Sequence, residues 1–239
     1  MKLRAVLFDI YGTLLEVSPA PADAAERWAR LWQKMLGRPA RLSLEQFAAR
    51  CDELIAREHA AARAAGVPHP EVFWPDIVAE VVPELARFAA EVPDEFMFQQ
   101  AQLWHTVRLM PGAAEALHAL NRGAMRLGLA SNSQPYTLRE LADALAPVGL
   151  TRQIFTPALC FLSFEHGFSK PDPHVFGLLA ARLRALDIQP AETLMVGDRL
   201  DNDVAPARAQ GFRTWHLTSE ATQPLGGPWP DLLKHIPSQ

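Results

Sequence analysis

The sequence predicts an α/β fold, a parallel sheet wrapped by helices on both faces, with a helical block inserted behind the first strand. Three observations carry this reading. From about residue 111 onward the pattern runs helix, strand, helix, strand, as parallel sheets with crossover helices require. Between about 21 and 109 there is only helical periodicity, with many alanines and charges and no strand-like run. The N-terminal apolar run Ala5–Phe8 reads as a strand buried on both faces, which has no β-α-β partner unless the helical block is an insertion after it.

The elements follow in order. Ala5–Phe8 is succeeded at once by Asp9, and Gly12 supplies the backbone freedom for a sharp turn away from the strand end. Helices are expected over 22–36, 44–65, 70–90 and 93–107, separated by the stop signals Gly37-Arg38-Pro39, Gly66-Val67-Pro68 and Val92-Pro93. Ser43 followed by Glu45-Gln46 marks a capped helix start. A helix over 113–120 ends at Asn121-Arg122-Gly123 and leads to a strand over 126–130. Helix 136–145 precedes a short strand at 158–161, helix 173–186 precedes strand 193–196, and helix 203–210 precedes strand 213–217. The tail 224–239, rich in Pro and Gly, reads as a surface wrap or a poorly ordered end. The division expected is a discontinuous α/β core, 1–15 plus 109–239, and a helical cap over 16–108; there is no internal repeat.

Composition narrows the function classes. A chain of 239 residues suits one elaborated domain or two modest ones, and 49% hydrophobic with 21% charged residues is ordinary for a soluble globular protein. A net charge of −4 without a basic block argues against nucleic acid as a partner. Cys51 and Cys160 form neither a metal-type spacing nor a disulfide framework, which fits a reducing cytoplasm. Asp9 interrupts the apolar run after Lys2 and Arg4 too soon for an export signal, and no apolar stretch is long enough to span a bilayer.

Four polar clusters stand at strand ends or helix starts of the α/β part, where open sheets place their ligands. They are Asp9 with Thr13; Ser131-Asn132; Lys170 before Pro171-Asp172-Pro173; and Gly197-Asp198 through Asp203. Asp172 reads as a helix N-cap and Pro173 as the first helical residue. Each cluster has a task if the substrate is a phosphate. Asp9 attacks as a carboxylate nucleophile, and Ser131 and the Asn132 backbone N–H donate to non-bridging oxygens. Lys170 offsets the nucleophile and the developing negative charge. Asp198 is a hard oxygen ligand suited to Mg²⁺, and Asp203 is placed to hold the ion's waters. A cation is needed because an anionic nucleophile otherwise repels an anionic phosphate.

The ordered set D-x-Y-G-T-L, S-N, K-P-D-P and G-D-x-x-x-x-D resembles the haloacid dehalogenase-like hydrolase superfamily over the whole chain, a helical cap between the first two motifs being that family's habit. The resemblance implies a Rossmann-like core, a mobile cap that closes over the site, and hydrolysis of a small-molecule substrate. Within the superfamily the motifs point two ways. Phosphatase members usually carry Asp two residues after the nucleophile, to protonate the leaving alkoxide, whereas the 2-haloacid dehalogenases typically carry tyrosine, as Tyr11 does here. Against that, Gly197-Asp198 through Asp203 looks like the Mg²⁺ motif of phosphatases, while dehalogenases use a serine- and asparagine-rich segment and no metal. Dehalogenases also place an arginine after a Leu-Trp pair in the early cap helix. Here Leu31-Trp32 is followed by Gln33, so Arg30, Arg38 or Arg41 would have to substitute.

The resemblance therefore implies a Mg²⁺-dependent phosphatase working through an aspartyl-phosphate. Its catalytic residues would be Asp9, Tyr11, Thr13 and Lys170, its substrate-binding residues Ser131 and Asn132, and its metal set Asp9, the Tyr11 backbone carbonyl, Asp198 and Asp203. The alternatives are a metal-independent 2-haloacid dehalogenase and a non-catalytic descendant that binds a partner through its cap. Monomer and homodimer stay open. Plainer readings stand beside these. Asp201 and Asp203 favour a helix N-terminus by charge alone, and Trp28 and Trp32 share a helix face suited to core packing. Of the eight histidines only His166 and His174 fall near Lys170, His166 as a loop residue.

Overall fold

Alternation along the first strand sets the layers. In the computed structural model, which describes residues 2–123, 125–219 and 225–236, β1 (Ala5–Phe8) is wholly buried. It sends Val6 and Phe8 into one apolar cluster and Ala5 and Leu7 into another. The chain then forms β2 (Leu15–Ser18) and four helices, α1 (Ala24–Leu36), α2 (Leu44–Ala64), α3 (Trp74–Val81) and α4 (Glu91–Ala101). It returns through β3 (Thr106–Leu109) to α5 (Ala113–Asn121), β4 (Arg126–Ser131), α6 (Pro135–Leu145), β5 (Phe155–Leu162) and α7 (Pro173–Ala185). After β6 (Thr193–Gly197) come α8 (Ala205–Ala209), β7 (Arg213–Leu217), β8 (Gly226–Gly227) and α9 (Trp229–His235).

Six strands make one parallel sheet in the order β5-β4-β1-β6-β7-β8. Apolar residues of α5, α6 and α9 cover one face and those of α7 and α8 the other. This is the expected Rossmann-like arrangement. The flanking positions of β1 place the carboxyl ends of β4, β1 and β6 side by side, which is where the polar clusters lie. Between β2 and β3 the four helices bury a core of their own, built on Trp28, Trp32, Phe47, Trp74 and Phe96. Trp28 and Trp32 therefore serve packing, and the Trp28 indole also donates to the Leu42 carbonyl at 2.7 Å. Ser43 caps α2, its hydroxyl accepting from Gln46 N while Gln46 Oε1 accepts from Ser43 N. No helix of the described residues is long and apolar enough to cross a membrane.

Several expected boundaries differ, each for a physical reason. The region 21–109 is not purely helical: β3 pairs antiparallel with β2, Leu15 facing Leu109 and Ser18 facing Thr106. That pairing joins segments far apart in sequence, so local periodicity does not report it. The helix expected over 70–90 is only α3, because Pro83 disfavours helix at Val82 and a tighter turn, Pro83–Arg87, follows. The helix expected over 93–107 starts at Glu91 and stops at Ala101. The strand expected at 158–161 extends over Phe155–Leu162, tolerating Pro157 because β5 is an edge. The helix expected over 203–210 begins as a wide turn, Leu200–Val204, before α8.

The tail corrects a further expectation. Its described part, 225–236, is neither a surface wrap nor loose: β8 extends the sheet, and α9 with Ile236 just after it buries Trp229, Leu232 and Ile236. Pro224 and 237–239 lie outside the described residues. The Trp229 ring packs 6.0 Å from that of Phe8, directly beneath the strand that carries Asp9. Trp229→Ala is expected to lower stability by about 3–5 kcal/mol, the usual range for emptying a large buried aromatic site. A shift below about 1 kcal/mol in urea unfolding would mean that the tail is not part of the core.

Candidate active site

The site begins with the turn that leaves β1. The Asp9 N–H donates to the Val196 carbonyl at 3.0 Å, so the strand pairing with β6 still governs the residue that carries the carboxylate. Gly12 then adopts φ +77°, and a Cβ there would stand 2.5 Å from Asp198 Oδ2. Glycine is required on both counts, conformation and space. The buried Thr13 hydroxyl donates to Asp198 Oδ1 at 3.2 Å, tying this turn to the one after β6.

Lys170 lies at the centre of the cluster. Its Nζ donates to Asp9 Oδ1 at 2.8 Å and to Asp203 Oδ1 at 2.5 Å, with the lysine side chain 2% exposed. Burying an unpaired ammonium costs several kcal/mol, so the two carboxylates are what permits it there. Burial works against the charged form, but Asp9 and Asp203 outweigh it and hold the lysine protonated above its ordinary range. Asp203 also accepts from Arg199 N through Oδ2 at 3.1 Å, and Gly197 lets it approach, since a Cβ at that position would meet Asp203 at 2.4 Å.

Carboxylate oxygens of Asp9, Asp198 and Asp203 lie within 4.8 Å of one another. Burial, with Asp9 beside it, raises Asp198 above the usual carboxylate range. The donor set is all oxygen, and among the described residues Lys170 is the only cation bonded to it. Asp203 has both oxygens engaged, whereas Asp9 Oδ2 has no hydrogen-bond partner among the described residues. A hard divalent cation suits such a set. The Ser131 hydroxyl, at the end of β4, is buried and has no hydrogen-bond partner among the described residues.

The expected residues fall into three groups. Asp9, Thr13, Lys170, Asp198 and Asp203 are brought together, with Ser131 at the end of the neighbouring strand. The Asn132 side chain is used structurally: its amide donates to the Lys170 carbonyl at 2.9 Å and accepts from Lys170 N at 2.8 Å, fixing the loop that delivers the lysine. The Tyr11 phenol is engaged outside the aspartate–lysine cluster, donating to Glu140 Oε2 at 2.5 Å and lying 2.8 Å from Thr137 Oγ1. Burial first, and the Glu140 charge second, push its ionisation far above the ordinary tyrosine value.

The remaining candidates lie elsewhere. Asp201 pairs with Arg199 in solvent, and His174 with the N-cap Asp172. His166 stacks on Phe161 with ring centroids 4.5 Å apart. Arg30 is paired with Asp23 and Glu26, and Arg38 and Arg41 with Glu84, all on the helical segment. Trp74 lines a cavity of about 230 Å³ with Met97, Phe98 and Tyr136, and no member of the aspartate–lysine cluster lines it.

Sequence reasoning missed two polar junctions. One is Glu140, buried on α6, which accepts from Tyr11, from Gln102 Nε2 at 2.6 Å, and is joined to His105 Nε2 at 2.9 Å. A signal existed, because Thr137 and Glu140 occupy the same helix face as Leu141 and Leu145, polar residues at core positions. The other is Glu71, whose carboxylate accepts from Ser163 Oγ at 2.7 Å and Gln134 Nε2 at 3.1 Å. Around it the backbone of His69 and Glu71 pairs with Gly167 and Ser169, immediately before Lys170. No local pattern announces that junction.

Comparison with known proteins agrees with the motif reading. A family model described as haloacid dehalogenase-like hydrolase matches residues 3–211. A phosphoglycolate phosphatase of Nitrosospira multiformis is 30% identical over 215 residues, covering 88% of this chain and 81% of that protein. A phosphoserine phosphatase of Thermus thermophilus is 34% identical over 131 residues, 55% of this chain and 46% of that protein, so the match spans less than half of the relative. Among solved structures, an L-2-haloacid dehalogenase superposes with TM-score 0.54 at 22% identity over 99% of both chains. A HAD family enzyme from Bacteroides thetaiotaomicron gives 0.60 at 16% identity over 98% of this chain and 99% of that one. At these identities the structures speak for the fold alone.

Replacing Lys170 by Met leaves two buried carboxylates without their cation. The expected loss is about 3–5 kcal/mol of unfolding free energy near neutral pH. A loss within about 0.5 kcal/mol, the scale of ordinary surface changes, would contradict the buried-charge description.

Proposed function

The chain belongs to the haloacid dehalogenase-like hydrolase family, and on that premise we propose that it is a Mg²⁺-dependent phosphatase of a small phosphorylated metabolite. The observation that carries the reading is the gathering of Asp9, Asp198 and Asp203 around a single buried lysine. Residues 1–15 and 109–239 form the catalytic core in this reading, and 16–108 the cap that closes over it. The contacts of residues 69–74 with Gln134, Ser163, Gly167 and Ser169 support a cap seated on the core.

Asp9 is the nucleophile. Lys170 holds Oδ1, which leaves Oδ2 to attack phosphorus. The attack forms an Asp9–phosphorus bond and breaks the ester bond to the leaving oxygen. Water then attacks the aspartyl-phosphate, releasing inorganic phosphate and restoring the carboxylate. Ser131 and the Asn132 N–H donate to the non-bridging oxygens, and Thr13 steadies Asp198. Asp9, Asp198 and the Tyr11 carbonyl would hold Mg²⁺, with Asp203 behind them for its waters, and the bound ion would supply the positive charge that lets an anionic nucleophile approach an anionic phosphate.

Tyr11 bears on the leaving group. Its proton is committed to Glu140 and its ionisation is pushed up, so it does not protonate a departing alkoxide. The substrates that suit such a site have leaving groups needing no proton, namely aryl and acyl phosphates. Tyr11 is also the feature that favours a second reading, hydrolytic dehalogenation of a 2-halo acid. Arg30, Arg38 and Arg41, the arginines that reading would call on for the substrate carboxylate, are instead paired with Asp23, Glu26 and Glu84.

Two measurements check the proposal. Phosphate release from p-nitrophenyl phosphate is expected only with Mg²⁺, to disappear with EDTA, and to fall at least about 1,000-fold in Asp9→Asn. Halide release from a 2-chloro acid in EDTA, without phosphate release in Mg²⁺, would establish the second reading instead. Aryl phosphates are expected to turn over at least about tenfold faster than alkyl phosphates of matched size, a difference of about 1.4 kcal/mol in the barrier. Equal rates would show that a proton donor other than Tyr11 serves the site.

A further inference from the structure

Glu140 is a buried carboxylate, 2% exposed, and among the described residues no lysine or arginine is bonded to it. A carboxylate at such depth is sustained by its hydrogen bonds, and the sources of those bonds are informative. Oε2 receives the Tyr11 phenol at 2.5 Å. Oε1 receives the Gln102 amide at 2.6 Å and lies 2.9 Å from His105 Nε2. With the phenol proton directed at Glu140, the Tyr11 oxygen is left to accept from the Thr137 hydroxyl, 2.8 Å away. The His105 ring packs edge-on against Tyr11, centroids 5.7 Å apart.

Three separate segments therefore end on one side chain: the turn that carries Asp9, the stretch after α4 that returns from the helical segment, and α6. Tyr11 is two residues from Asp9, and Gly12 behind it is packed against Asp198. Pinning the phenol at its tip fixes the backbone between the two carboxylates. We propose that Glu140 is a positioning residue: through the Tyr11 phenol it aligns the nucleophile turn and makes that alignment depend on the seating of residues 102–105. Tyr11 is then a strut between Asp9 and Glu140. The kinetic part of the test rests on the phosphatase reading above; the exchange part does not.

Tyr11→Phe, which keeps the ring and removes only the hydroxyl, Glu140→Gln and the double variant are compared with the parent. With p-nitrophenyl phosphate and Mg²⁺, each single change is expected to lower kcat about tenfold with KM within about twofold, the usual cost of losing a supporting hydrogen bond behind a reactive group. The double variant is expected to be no slower than the slower single, because the two groups act as a unit. Multiplying losses, or singles that keep more than half of the parent kcat, overturn the proposal.

Amide hydrogen exchange reads the same coupling without turnover. Either single variant is expected to exchange faster in peptides covering both 10–15 and 102–109, while α5 is unchanged. Faster exchange in neither segment, or in one alone, overturns the proposal. If the parent shows no phosphate release, the phosphatase reading falls and exchange alone decides. If Glu140→Gln does not fold, Tyr11→Phe carries both measurements.

Discussion

A buried ammonium held between two carboxylates is the constraint on which the rest of the site depends. Lys170 comes from the loop after β5, Asp9 from the end of β1, and Asp203 from the wide turn after β6. None of the three is tolerable at that depth alone, so the ends of non-adjacent strands are bound to one another by electrostatics as well as by the sheet. Their surroundings follow from this. Asn132 at the end of β4 spends both ends of its amide on the Lys170 backbone, and Gly197 and Gly12 are bare because a side chain at either would collide with an aspartate. A site made this way tolerates little displacement, because any shift of one partner leaves an unpaired charge in the interior.

The junctions between helical segment and sheet use a different chemistry. Glu71 and Glu140 are carboxylates held largely by neutral donors, a hydroxyl and an amide for one, a phenol and an amide for the other, with His105 alongside. Burial raises the ionisation of Glu71 above the usual range. Hydrogen bonds of this kind demand good geometry yet carry less energy than the central ion trio. That contrast assigns rigidity to the nucleophile and leaves the helical segment attached by contacts that are specific and easier to break.

Legibility in the sequence followed the distance between cause and partner. Asp9 and Asp198 could be read because each follows directly on a buried apolar strand, and Lys170 because it precedes the helix start Pro171-Asp172-Pro173. Asp172 and Ser43 were readable as caps for the same reason. Tyr11 stands out in its motif, but the direction of its phenol depends on Glu140, far along the chain on α6. The β2–β3 pairing and the burial of Trp229 under Phe8 are likewise decided by remote partners. The break of the expected 70–90 helix is the exception, since Pro83 stood in plain view.

The β2–β3 ribbon has a geometric consequence. Ser18 and Thr106 are cross-strand partners, so the ends of the inserted segment leave the core about 5 Å apart. That gap is the one a tight hairpin turn spans, and it does not change with what is threaded between the two strands. The segment beyond the ribbon thus enters and leaves the sheet through one narrow neck, so its outer helices can change in size and sequence without moving the strand ends, whereas residues 69–74 and 102–105, which bond to the core, are not free to change with them. Change can accumulate in the helices that bond to nothing in the sheet while the lysine and its carboxylates stay where they are.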